Sequence, residues 1–187
     1  MDVPAFVTAI RREADRLVDI ASATAPGAEV PMCPDWQVRD VLRHLGGVHR
    51  WARATVVEAR TGPMDTEEQA AIMRAPDADA DLCGWVRDGA EALASALEGA
   101  PADLVCFTFL PAPSARAFWA RRQAHETGIH RRDVEAAAGD VTPYVAEVAA
   151  DGIDELLCGF ASRRGGRLRS DIPSRLAVEA TDTAGSW

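Results

Sequence analysis

The four histidines of this chain fall in two short segments, each with the pattern of a helix. His44 and His49 lie in VLRHLGGVHRW, and His125 and His130 lie in FWARRQAHETGIHRRD. The second segment also carries Glu126 four residues before His130, which puts a carboxylate and an imidazole one turn apart on one helix face. One more histidine from a facing helix would complete a metal site of two histidines and one carboxylate.

The helix that carries Glu126 and His130 has a broad apolar face that includes Ile129. At about 100° per residue, the acid and the imidazole fall in the middle of that face, whereas Arg131 and Glu135 are predicted to point away. An unpaired buried carboxylate is costly, and proteins avoid one unless its charge is paired or bound to metal. Two interpretations stay open: a metal or catalytic site, and a structural pair that holds helices together.

Two more residues of this helix bear on the same site. Arg122 lies near Glu126 on the apolar face, where it would either reach an anionic ligand or form a salt bridge with Glu126. His125 and His130 are five residues apart, so HETGIH differs from the zincin motif, whose histidines stand at i and i+4. We therefore expect His125 to face solvent or the helix edge.

The segment with His44 and His49 leaves its ligand undecided. The two histidines flank an apolar stripe at nearly equal angles, so periodicity does not choose between them. If His44 is a ligand, His49 would line the cavity or simply pack in the core. Gly46 and Gly47 lie between them, where glycine destabilises a helix, which indicates close packing of another helix or access for a ligand.

Long helices joined by loops predict an all-α bundle. Asp2 is predicted to cap the first helix, and Asp35 the second. The region 64–80 is predicted to be a partly ordered loop and 100–114 an irregular crossing. The remaining predicted elements are four helices and one late strand-like stretch: Gln37 to Thr61, Asp81 to Leu97, Ala115 to Ala138, Pro143 to Ser162, and the strand-like Arg175 to Ala180.

Composition limits the class of protein. A chain of 187 residues can bury one substantial core, and its net charge of −9 argues against a general nucleic-acid binder. The cysteines form no CxxC pair, so reduced thiols are expected. The N-terminus has no signal-peptide pattern, and no apolar run is long enough to span a bilayer. These features predict a cytoplasmic protein that does not bind membranes.

The chain is predicted to hold two parts. Residues 1–165 form the helical bundle, and residues 166–187 form a linker and the start of a second domain that is truncated or absent. The composition shift to RGGRLRSDIPS and the isolated strand-like stretch after it are the reasons for this division.

The segments VPMCPDWQVRDVLRHLGGVHRWA and FWARRQAHETGIHRRDVE together resemble the mycothiol-dependent maleylpyruvate isomerase family. This family is a branch of the DinB-like four-helix metalloproteins, and the resemblance covers roughly residues 1–165. In the family, one histidine of the first motif and a Glu-x-x-x-His pair of the second hold the metal. The matching residues are His44, Glu126 and His130, so the resemblance selects His44 over His49. Relatives often continue into a second α/β domain that supplies an arginine to the site, and this sequence stops at Trp187.

The resemblance implies an enzyme in which a bound divalent metal, zinc above all, activates a thiol. Three protein ligands leave a coordination position open, as in catalytic zinc sites, and a metal can ionise a bound thiol. His44, Glu126 and His130 would act catalytically through the metal, and His49 and Arg122 would help to bind the cosubstrate. The expected partners are mycothiol and a small electrophile, with isomerisation or S-transfer as the reaction and a homodimer left open. The alternative is a non-catalytic metal-binding bundle that acts as a sensor or interaction module.

Overall fold

The computed structural model describes residues 1–163, 171–172 and 174–187. The chain divides into two compact units, Asp2–Thr142 and Pro143–Trp187, with Met1 counted in the second. The predicted boundary between residues 165 and 166 stays a prediction. The described helices are α1 (Val3–Ala23), α2 (Val38–Val57), α3 (Thr66–Ile72), α4 (Leu82–Gly99), α5 (Ala115–Ala138) and α6 (Ala146–Asp154).

The first unit is a four-helix bundle, and the predicted all-α fold class is confirmed. Helix α1 packs against α5 and α4, and α2 packs against the same two helices, so the four helices enclose one core. In the described ranges, β-type pairing is limited to isolated bridges. None of the helices in these ranges is both long and apolar enough to cross a membrane. Buried side chains at the centre of the bundle include Leu17, Val41, Leu45, Leu82, Val86 and Val134.

Helices α1 and α5 begin at side-chain caps, of which the cap at Asp2 was predicted. The Asp2 carboxylate accepts a hydrogen bond from the Ala5 amide at 3.0 Å, and the Ser114 hydroxyl accepts one from the Ala117 amide at 3.1 Å. Helix α5 ends at Gly139, whose φ of 77° lies in the left-handed region that glycine adopts without strain. The predicted bounds of α5, which carries most of the candidate site, are therefore confirmed.

Helix α2 departs from its prediction at both ends. It is capped at Gln37, whose amide donates to the Asp40 carboxylate at 2.9 Å, and not at Asp35, which has a φ of 69° in the preceding turn. It ends at Val57 instead of Thr61. The chain leaves the helix because Ala59 adopts a left-handed φ of 48° and the Arg60 amide returns to the Thr55 carbonyl.

Three other predictions from the loops and tail are corrected. The region 64–80 contains α3, which forms because Asp65 caps it by accepting from the Glu68 amide at 2.9 Å. The last predicted helix begins at Ala146 and changes at Glu155 to a π-helical turn that ends at Ala161. The strand-like stretch does find a partner, because Val178 exchanges two backbone hydrogen bonds of 2.8 Å with Trp187. Most of the predicted linker RGGRLRSDIPS lies outside the described residues.

The glycine pair of α2 serves helix packing. A Cβ atom at Gly46 would lie 2.3 Å from the Trp85 ring of α4, and one at Gly47 would lie 3.0 Å from the Met73 carbonyl oxygen. The Arg50 guanidinium covers the same Trp85 ring at 4.1 Å. These contacts support the packing interpretation of the two glycines over the ligand-access interpretation.

Arg131 and Glu135 are buried, so the prediction that they point away from the core is wrong. Arg131 donates to Glu13 of α1 at 2.7 Å and to Glu135 at 2.5 Å, and Arg16 of α1 donates to Glu135 at 2.6 Å. Burial opposes ionisation of Glu135, but hydrogen bonds from Arg16, Thr142 and Arg131 outweigh it and lower its pKa to about 2. The charged groups of Arg131 and Glu135 can be buried because α1 supplies an oppositely charged partner for each, Glu13 and Arg16.

Candidate metal centre

Three side chains of the bundle converge on one point between α2 and α5. His44 comes from α2, and Glu126 and His130 come from successive turns of α5. One ligand atom from each lies within 4.8 Å of the other two. The Nε2 atoms of His44 and His130 lie 3.1 and 3.4 Å from the same carboxylate oxygen, Oε1 of Glu126. The structure therefore brings together the three residues that the family resemblance selects.

The donor set and its spacing fit a divalent metal such as zinc. Imidazole nitrogen and carboxylate oxygen bind zinc at about 2.0–2.2 Å, so neighbouring ligand atoms of a tetrahedral site lie about 3.3 Å apart. The two nitrogen-to-oxygen separations around Glu126 are already close to that value. A metal could be held with small adjustments of side chains that their helices fix in place.

The site lies at the edge of the buried face of α5. Ile129, which lies between Glu126 and His130 in sequence, is 50% exposed. The buried face of α5 instead includes Arg131 and Glu135, which are fully buried. The prediction that Glu126 and His130 occupy the middle of the buried face is therefore wrong. The side chains of His44, Glu126 and His130 are 34%, 21% and 12% exposed, so the site is partly open to solvent.

Asp133 fixes the orientation of His130, a role that was not predicted from the sequence. Its Oδ2 atom lies 2.9 Å from Nδ1 of His130, three residues earlier on α5. A carboxylate at Nδ1 places the proton there and leaves Nε2 to face Glu126, the arrangement common around metal-binding histidines. Asp133 follows His130 by three residues on one helix, and this spacing was the signal in the sequence that could have indicated the contact.

The Cys33 thiol donates to the same Oδ2 atom of Asp133 at 3.7 Å. Burial, together with the charge of Asp133, raises the pKa of that thiol.

Strong electrostatic coupling holds the three side chains together. Burial alone would raise the pKa of Glu126, but hydrogen bonds with His130 and His44 and the charge of Arg122 hold it well below its usual range. Burial likewise opposes protonation of His130, but Asp133 and Glu126 raise its pKa to about 9. Without a metal, His130 therefore carries a proton on the nitrogen where the metal would bind.

Arg122 and Trp36 complete the surroundings of the triad. Arg122 donates to Oε2 of Glu126 at 2.9 Å, so the two oxygens of this carboxylate have different partners. This contact is the salt bridge that the sequence left as one of two alternatives. The Trp36 ring stacks on His130 with a centroid separation of 6.1 Å and contacts His44 at 5.2 Å. Hydrogen bonds within residues 30–36 hold this loop over the two imidazoles.

The other two histidines lie outside the triad. His49 is fully buried, and its Nε2 atom lies 2.9 Å from the Thr127 hydroxyl of α5. His44 and His49 are thus distinguished by depth, since His49 lies at the centre of the buried face of α2 and His44 at its edge. His125 is half-buried, and its ring makes an edge contact with Phe6 at 6.0 Å.

Comparison with known proteins agrees with this geometry. No curated protein and no solved structure matches the chain. The family model described as mycothiol maleylpyruvate isomerase N-terminal domain matches residues 7–135, more than two thirds of the sequence and a range that includes all three converging side chains. The chain therefore belongs to the mycothiol maleylpyruvate isomerase N-terminal domain family.

Proposed function

We propose that this chain is a metal- and mycothiol-dependent enzyme, an isomerase or a thiol S-transferase, that acts on a small electrophile. His44, Glu126 and His130 hold one divalent metal, with zinc as the expected ion. A metal with three protein ligands supplies an open position at which a thiol is bound as thiolate, the nucleophilic form. We also propose that the protein acts in the cytoplasm.

The observation that carries the proposal is the shared carboxylate oxygen. Two imidazole nitrogens from different helices lie 3.1 and 3.4 Å from Oε1 of Glu126. Both nitrogens could bind an ion that this oxygen also binds, while Arg122 holds the second oxygen of the carboxylate. The partial exposure of the triad supports access for a thiol and an electrophile.

The protein side chains have separate roles in this reaction. Asp133 keeps the proton of His130 on Nδ1, and Arg122 holds the Glu126 carboxylate in one orientation. Trp36 covers the imidazoles and limits the access of water. In isomerisation, the thiolate sulfur adds to one carbon of a conjugated double bond, and the π electron pair moves onto the neighbouring carbonyl. Rotation about the resulting single bond and elimination of the thiolate restore the double bond in the other geometry. In S-transfer, the sulfur forms its bond to carbon as a leaving group departs with the electron pair of its own bond.

Cobalt substitution tests thiol binding directly. The protein is loaded with Co²⁺ and titrated with mycothiol while the near-ultraviolet spectrum is recorded. We expect a sulfur-to-cobalt charge-transfer band that saturates at one thiol per metal. The matched control is the His44→Ala variant, which should show neither stoichiometric cobalt nor the band.

Turnover separates the enzyme from the alternative of a binding module. Mycothiol is incubated with the metal-loaded protein and either maleylpyruvate or monobromobimane, which report isomerisation and S-transfer respectively. Acceleration of one reaction above the rate with His44→Ala is the expected result. A protein that binds cobalt but shows no spectral change with saturating mycothiol contradicts the proposal and favours a metal-binding sensor or interaction module.

A further inference from the structure

Two consecutive hydrogen bonds between α2 and α5 fix the tautomer of the buried His49. The Thr127 hydroxyl donates its single proton to the Gln123 carbonyl at 2.7 Å. Its oxygen must therefore accept from His49 Nε2, which lies 2.9 Å away. Burial keeps His49 neutral by lowering its pKa to about 3. Neutral His49 carries its proton on Nε2 and presents a lone pair at Nδ1.

Two acceptors of this cluster lack a donor among the described residues. No protein donor in that part of the chain lies within hydrogen-bonding distance of His49 Nδ1 or of Gln123 Oε1, and both atoms are buried. The two residues are 0% and 1% exposed. Buried polar atoms are normally paired because leaving one unpaired costs its full desolvation penalty. His49 Nδ1 and Gln123 Oε1 are both hydrogen-bond acceptors, so a group that pairs with them must be a hydrogen-bond donor.

The cluster lies on the same two helices as the candidate metal centre. Gln123 precedes Glu126 by three residues on α5, and His49 follows His44 by five residues on α2. The Thr127 hydroxyl that lies 2.9 Å from His49 Nε2 belongs to the residue that follows Glu126 on α5. Near the same two residues in sequence, Trp51 of α2 and Trp119 of α5 contact each other with a ring-centroid separation of 5.0 Å.

We propose that His49 and Gln123 form an acceptor subsite beside the metal centre, which receives a neutral hydroxyl or amide N–H of the bound thiol. This proposal rests on the proposed function, because the thiol sulfur anchors the ligand at the metal. The subsite selects thiols that carry such a donor a few bonds from sulfur over purely apolar thiols. A cationic ammonium group is disfavoured, since the site is dry enough to keep a histidine neutral.

Two simple thiols of nearly equal shape test the subsite. The cobalt-loaded protein is titrated with 3-mercapto-1-propanol and with 1-propanethiol, and each dissociation constant is read from the charge-transfer band. We expect the hydroxyl-bearing thiol to bind about tenfold tighter, the size expected for a buried hydrogen bond. The Gln123→Met variant keeps the side-chain length but loses the acceptor oxygen, so the preference should fall to near unity while 1-propanethiol binding is unchanged.

Control variants separate this result from misfolding. Gln69→Met makes the same chemical change on α3 and should retain the preference of the wild type. His49→Phe removes the second acceptor and serves if Gln123→Met loses cobalt or thermal stability. Equal binding of both thiols by the wild type, or an intact preference in both site variants, overturns the subsite, whose acceptors would then hold only an internal water. Absence of the band with either thiol contradicts the proposed function itself.

Discussion

Oδ2 of Asp133 lies 2.9 Å from Nδ1 of His130, which turns Nε2 of the imidazole toward Glu126. Removing this carboxylate should weaken metal binding while leaving every ligand in place. We expect Asp133→Ala to lower zinc affinity about 10- to 100-fold, as measured by competition with a chromophoric chelator. Asp140→Ala, an exposed acid beyond the end of α5, is the control. Equal affinity in Asp133→Ala and the wild type would contradict the orienting role.

Metal content should depend on His44 and His130 and not on the other histidines. We expect one divalent metal per chain in the purified wild type, because three ligand atoms lie within 4.8 Å of one another. Elemental analysis of His44→Ala and His130→Ala should show loss of metal, and His125→Ala should retain it. Loss of metal in His49→Ala with retention in His44→Ala would show that the ligand from α2 is His49 and not His44.

The buried ionic cluster around Glu135 should contribute to stability in acid. The pKa of Glu135 is lowered to about 2 from its ordinary value of 4.5. Its contribution is therefore complete above about pH 4.5 and is lost as the pH falls toward 2, with a total on the order of 3 kcal/mol. Urea unfolding at several pH values should show a smaller decline for Glu135→Gln than for the wild type across this window. Parallel declines in the two proteins would refute the assignment.

Helix packing at Gly46 should tolerate no side chain. An added Cβ would lie 2.3 Å from the Trp85 ring, so Gly46→Ala forces α2 and α4 apart or displaces the indole. The expected cost is about 1–3 kcal/mol in the free energy of unfolding. Gly84→Ala is the matched control, because a Cβ there meets nothing within 4 Å and alanine favours the helix. A neutral Gly46→Ala would contradict the close-packing interpretation.

The local sequence pattern predicted the bounds of the helices better than it predicted which charged residues are buried. The predicted bounds of α5 agree with the structure, where Ser114 and Gly139 cap the helix through local contacts that do not depend on distant residues. Periodicity assigned Arg131 and Glu135 to solvent because it treats charge as a sign of exposure. Their burial depends on Glu13 and Arg16 of α1, more than a hundred residues away in sequence, and such pairing has no local signature.

The candidate site was predicted in part, for a similar reason. The spacing of Glu126 and His130 is local to one helix, so their proximity could be read from the sequence. The choice of His44 over His49 depends on how α2 is rotated against α5, and only the family resemblance indicated it. The contact between Trp36 and the two imidazoles depends on how residues 30–36 fold over the site, which no single-helix pattern encodes.

The distribution of the three ligands over two helices also bears on folding. Glu126 and His130 come from one helix, while His44 comes from its neighbour. A bound ion therefore acts as a cross-link between α2 and α5 and shifts the folding equilibrium by its own binding free energy. Chelation should accelerate amide exchange along this seam more than along the one between α1 and α4. The cell's supply of metal would then regulate how much of this protein is folded, in addition to how much of it is active.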